Sequence, residues 1–187
     1  FTRDGGALTA LDRKLTFINM TTVNEHSSTG LTACCKSAMG LVDMSAGRNG
    51  TDPRVVDYQS VHYFGEPVAK WRMAGPLAHF AKHVRAPDLY LACAEYVGVT
   101  PAGGLAGAEA DLRIEAASAF QTKTVVAGSD PVAIDYWCAK NLLAPLGGEN
   151  KALYDVDSAD SQLSKFLRYY REVYGSGTLL PELIATV

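Results

Sequence analysis

Apolar and polar residues alternate in blocks along the chain, and the blocks differ in period. Leu15 to Val23 (LTFINMTTV) is apolar and β-prone and predicts a mostly buried strand. The polar stretch Asn24 to Gly30 (NEHSSTG) reads as a loop, and Leu31 to Leu41 as a helix that Ser28 or Thr29 could cap. Pro76 to Val84 predicts a second helix with proline in its first turn, broken by Pro87 before a strand at Leu89 to Val97. A flexible loop follows from Gly98 to Gly107, then a third strand at Lys123 to Ala127. Asp130 is suited as the N-cap, and Pro131 as the first residue, of a helix running to about Leu143. Ser161 to Tyr174 is amphipathic, with apolar residues at 163, 166, 167, 170 and 174, and Gly175 stops it.

Short strands alternating with helices predict an α/β fold, a parallel or mixed sheet flanked by helices. One long irregular excursion, Asp43 to Pro67, is rich in Gly, Asn, Asp, Pro and Tyr and shows no sustained period. The 187 residues read as a single α/β domain, and 48% hydrophobic content gives it a core without staples. A net charge of -3 argues against nucleic acid as partner, and no apolar run approaches the ~18 residues of a membrane span. The start at Phe1 fits a processed product or a piece of a larger domain, and the compartment, cytoplasmic or exported, stays open.

The chemistry-bearing residues fall near the predicted strand ends. In open α/β sheets ligands bind outside the carboxyl ends of strands, where helix starts offer unpaired N–H groups to an anion. His26 is a candidate acid, base or ligand, beside the alternative of a solvated loop histidine. Lys36 sits among small and apolar residues, so it must snorkel, pair with a carboxylate or face a pocket. Glu95, late in a strand between Ala94 and Tyr96, is costly there unless paired or solvated. Asp130 is a helix cap that could also line a pocket, and Asp135 reads as a helix-surface or junction residue. Thr29, Thr32 and Ser129 are candidate ligand-binding neighbours of these four.

Other patterns carry less. His79 and His83 share a helix face at i, i+4, but the sequence between them lacks the glutamate of a zinc protease. Cys34, Cys35, Cys93 and Cys138 fit no zinc or cluster spacing and read as core thiols, so no metal and no cofactor is assigned. No nucleophile elbow, P-loop or dinucleotide fingerprint occurs.

Two segments nevertheless carry a resemblance. Thr29-Gly30-Leu31-Thr32-Ala33-Cys34-Cys35-Lys36-Ser37-Ala38-Met39-Gly40 resembles the G-x-T-x-x-x-K-N-x-x-G segment of the domain of unknown function 362 family. Val126-Ala127-Gly128-Ser129-Asp130-Pro131-Val132-Ala133-Ile134-Asp135 resembles that family's A-G-T-D-P-V-A-x-D signature. His26 falls where many members have a histidine, and Glu95 where members often have an aspartate ending a strand. Ser37 replaces the usual asparagine, and Glu95 the aspartate, which puts the details of ligand recognition in doubt. The resemblance spans about residues 15 to 145, the later part of the family domain, and agrees with the reading of the chain as a piece of a larger one.

The resemblance implies an α/β fold and little about activity. Some relatives carry a ferredoxin-type iron–sulfur segment or a twin-arginine export signal, neither of which is found here. Two functional expectations result. In one, His26, Lys36, Glu95 and Asp130 converge at the carboxyl edge of the sheet and bind a small anionic molecule or a metal, as in an enzyme of a redox-related pathway. In the other, the chain is a non-catalytic accessory domain that meets a protein partner through residues 43–64, with Tyr58, Tyr63 and Phe64.

Overall fold

A computed structural model of the chain describes residues 16–26, 29–41, 70–99 and 119–175, together with the backbone of 3–4 and 7–8. The excursion at 43–67, with its tyrosines, and the loop at 100–107 lie outside the described residues. The first two strands, β1 (Arg3–Asp4) and β2 (Ala7–Leu8), form a small antiparallel pair of their own.

The main sheet has four strands in the order β4 (Gly30–Thr32), β3 (Ile18–His26), β5 (Leu89–Gly98) and β6 (Ala119–Gly128). Its central pair, β3 and β5, is parallel, while β4 and β6 run antiparallel to their neighbours. The fold is therefore α/β with a mixed sheet. Asn19, Thr21 and Val23 of β3 and Tyr90, Ala92 and Ala94 of β5 turn towards the helices, as the two-residue period requires. The opposite face is less covered than a mostly buried strand would be. Ile18 is 48% exposed, Met20 68% and Val125 64%, because no described helix lies over them.

Two local readings change at the end of β3. The stretch expected to be a polar loop continues as strand through His26 and returns as β4, pairing Glu25 with Leu31 and His26 with Gly30. Gly30 has φ +84, and a Cβ there would lie 2.6 Å from the Leu153 carbonyl oxygen, so only glycine lets the hairpin reach that backbone. The helix after it starts later than expected, at Cys34, and winds as a 3₁₀ helix to Leu41. Thr29 does not cap it, and Ser28 lies outside the described residues. The buried Thr29 hydroxyl instead donates to the Leu31 carbonyl.

The helices gather on one face of the sheet. After a 3₁₀ turn (Lys70–Met73), α1 (Ala74–His83) packs its Gly75 against the Tyr169 ring of the last helix. Asp130 caps α2 (Pro131–Cys138), accepting from the Val132 and Ala133 amides at 2.9 and 3.1 Å, and a π turn (Ala139–Leu143) prolongs the helix. A single turn, α3 (Lys151–Tyr154), precedes α4 (Gln162–Tyr174), where Ser161 caps and Leu163, Phe166, Leu167 and Tyr170 are buried as their spacing predicts. One apolar core links these residues to Val23, Leu77, Tyr90, Val132 and Leu143. Among the described residues no helix is long and apolar enough to cross a membrane.

Candidate functional site

The direction of β6 decides which candidate residues can meet. Gly128, at its end, pairs with Tyr90 at the start of β5, while Ala119 at its start pairs with Gly98. The helix that Asp130 caps thus begins at the amino edge of the parallel pair. His26 and Glu95 lie towards the carboxyl edge. Five residues of strand separate the levels of Tyr90 and Glu95, roughly 16 Å at ~3.3 Å per residue. One small substrate cannot touch Asp130, His26 and Glu95 together. The expected convergence at the carboxyl edge needed the Asp130 helix start to lie there, and the antiparallel β6 places it at the other edge.

Each candidate has its own surroundings. His26 is half-buried, and its Nδ1 accepts a long hydrogen bond, 3.4 Å, from the Thr29 amide. Thr32 is half-buried opposite Asn24. Glu95 is solvated at a bulge where Lys123 takes φ 52, and it accepts from Gln121 Nε2 at 2.9 Å. Ser129 is exposed at the bend before Asp130. His79 and His83 are exposed with ring centroids 4.2 Å apart, and no group of three His, Cys, Asp or Glu among the described residues could hold a metal.

The residue that organises the amino half of the site is Asp135. It is buried, not a surface residue, and its two oxygens accept from the Cys34 and Cys35 amides at 2.8 and 2.9 Å. The open start of the 3₁₀ helix, a ready anion site in principle, is filled by an internal carboxylate. The same is true of α2, filled by Asp130. Burial pushes the Asp135 carboxyl up to about 7, against the two amide hydrogen bonds that favour its charge. The signal available in the sequence was a lone acid in the otherwise apolar run Val132 to Ala139.

The thiols nearby are not reactive groups. Cys34, Cys35 and Cys138 are buried and free, and burial, then the Asp135 charge, pushes all three thiols up, Cys138 to about 12. Lys36 is different. It is 4% exposed, its ammonium has no hydrogen bond or ion pair among the described residues, and burial lowers it to about 8. A largely buried cation with no partner among the described residues is a cost that the fold carries.

A cavity of about 220 Å³ opens at the amino edge between β3, the 3₁₀ helix, α1 and α4. Phe17, Leu41, Phe80 and Pro87 give it apolar walls, Asn19, Ser37, Arg85 and Tyr90 are its polar residues, and Ile18 and Met20, whose side chains turn to the other face, border it. Asn19 Nδ2 donates to the Ser37 hydroxyl, which donates in turn to the Cys34 carbonyl at 2.8 Å. Arg85 pairs with Asp88 at 2.8 Å. Among the described residues the buried Tyr90 hydroxyl has no hydrogen bond of ordinary geometry, and Tyr174 is the side chain that lies near it. Lys36 and Asp130 do not line this cavity.

The family described as Domain of unknown function (DUF362) matches residues 9–140, and the chain belongs to it. No curated protein and no solved structure matches the chain.

Two predictions rest on the buried charges. Asp135→Asn leaves one of the two cysteine amides without an acceptor, and should cost about 1–3 kcal/mol in urea unfolding. The folded carboxyl lies above its unfolded value of about 3.9. Its contribution is therefore full below about pH 4 and lost as pH rises through about 7, a decline the asparagine variant should lack. For Lys36 the folded ammonium lies below its unfolded value of about 10.4, so its penalty is full below pH 8 and fades as pH rises from there. Lys36→Met should raise stability at pH 7 by roughly 1–3 kcal/mol, with the gain shrinking at pH 10. A less stable Lys36→Met protein would contradict the unpaired ammonium.

Proposed function

We propose that this domain binds a small molecule with an apolar body and an anionic, hydrogen-bonding head in the cavity at the amino edge of β3 and β5. The observation that carries the reading is the Tyr90 hydroxyl, buried beside the cavity with its hydrogen bond unmade. Unmet buried polar groups are rare in folded proteins and recur where a ligand completes them. Burial holds the Tyr90 phenol in its protonated form, so it can donate to an acceptor. Among the described residues that line the cavity there is one guanidinium, Arg85, which Asp88 already pairs, and no carboxylate, so an anionic head would share Arg85 with Asp88. Mostly apolar walls with a few convergent polar groups are the usual form of a small-molecule site. The reading is of binding alone, and no catalytic step is assigned to His26, Lys36, Glu95 or Asp130.

A second reading, a non-catalytic domain that docks on another polypeptide, is favoured by the exposed apolar face formed by Ile18, Met20 and Val125. A second copy of the chain is its simplest occupant.

Saturation-transfer NMR with benzoate, hexanoate and the matching alcohols tests the first reading. The carboxylates should bind, Ala38→Phe should abolish binding by filling the cavity, and Arg85→Gln should weaken the carboxylates about tenfold while sparing the alcohols. Failure of the whole panel to bind, or unchanged binding by Ala38→Phe, would sink it. For the second reading, light scattering should show self-association that Met20→Lys with Val125→Lys removes. A wild-type chain that stays monomeric at the highest attainable concentration rejects that reading.

A further inference from the structure

Helix α1 carries a histidine pair that stands apart from the cavity. His79 and His83 are four residues apart on it, one turn above the other, so both rings leave the same face. Both are exposed, their ring centroids lie 4.2 Å apart, and the ring planes are tilted by 40°. Neither lines the cavity, although Phe80 and Ala81 between them do.

The spacing suits coordination of one ion. Two imidazole nitrogens bound at about 2.0–2.1 Å, with roughly 90–110° between the bonds, place their ring centroids roughly 4.5–5 Å apart. The observed 4.2 Å is slightly short of that, and a small rotation of two exposed rings makes up the difference. The cationic neighbours are engaged elsewhere. Lys82 Nζ donates to the Val173 carbonyl at 3.1 Å, and Arg85 pairs with Asp88 at 2.8 Å. His83 is the last residue of α1, where the closing carbonyls carry the partial negative charge that favours a cation.

We infer that His79 and His83 together chelate one divalent transition-metal ion of the nitrogen-binding class, copper(II), nickel(II) or zinc(II). Imidazole suits these ions, whereas calcium and magnesium need oxygen donors that the pair does not supply. Among the described residues no third His, Cys, Asp or Glu joins the pair, so the remaining coordination positions are open to water or to a ligand from outside. Two rings held on one helical turn make the second bond intramolecular, which gives the pair an affinity that neither imidazole has alone. The site shares no residue with the small-molecule cavity, so either reading can fail without the other.

Calorimetric titration of the full chain with nickel chloride tests the site. The wild type should take up one tightly held ion per chain. His79→Gln and His83→Gln should each weaken nickel roughly tenfold or more, and the double variant little further, because either substitution alone breaks the chelate. Both side chains are exposed, so glutamine leaves the packing of α1 intact. His83→Cys keeps a metal donor at the same spacing and should bind more tightly than His83→Gln. The inference is overturned by the absence of saturable uptake, by single variants that bind nickel as tightly as the wild type, or by two equal ions per chain of which each variant removes one.

Discussion

The contact on which the rest of the structure depends is the carboxylate of Asp135 on the amides of Cys34 and Cys35. It joins two segments a hundred residues apart, the start of the 3₁₀ helix and the middle of α2. Without it, two buried N–H groups would face an apolar core, and the 3₁₀ helix would have no reason to begin at Cys34. The same contact places Cys34, Ser37 and Ala38 on the cavity wall and surrounds the thiols with negative charge and apolar neighbours. Its carboxyl is drawn in opposite directions, upward by burial and downward by the amides, and burial wins.

A second constraint is the mixed sheet. A parallel β6 would have gathered the helix starts at one edge, the arrangement that gives doubly wound folds their ligand crevice. The antiparallel β6 divides the polar residues between two edges instead. Asp130 and Asp135 each fill a helix start with an internal charge, so anion binding at those helix ends is already taken up by the protein itself. Among the described residues, the groups left without a hydrogen-bond partner include the Tyr90 hydroxyl at the cavity, Glu25 Oε2, the Tyr154 hydroxyl and Arg171 Nη1. Groups that a fold leaves unmet are where it departs from its own stability, and functional sites concentrate there.

Much of the architecture was legible along the chain because it depends on local spacing. The amphipathic period of 161–174, the Ser161 and Asp130 caps and the Gly175 stop each rest on residues within one or two turns. The α/β class followed from alternating periods, and the two motifs around Lys36 and Asp130 pointed to the family that the match over 9–140 establishes. The reading erred where the deciding partner was distant. His26 is the last residue of a strand and not part of a loop because β4 folds back on it, and Gly30 is needed for the Leu153 backbone that faces it. Asp135 looked like a surface acid because its partners are the amides of Cys34 and Cys35.

The sequence by itself determined the element types, the caps, the apolar core faces and the family, since each is a matter of neighbours a few residues apart. Only the tertiary structure decided that β6 runs antiparallel, that Lys36 is buried, and that Asp135 meets the amides of Cys34 and Cys35. Strand direction, burial of a charge and the meeting of residues a hundred positions apart depend on how the whole chain packs, and no local pattern encodes them.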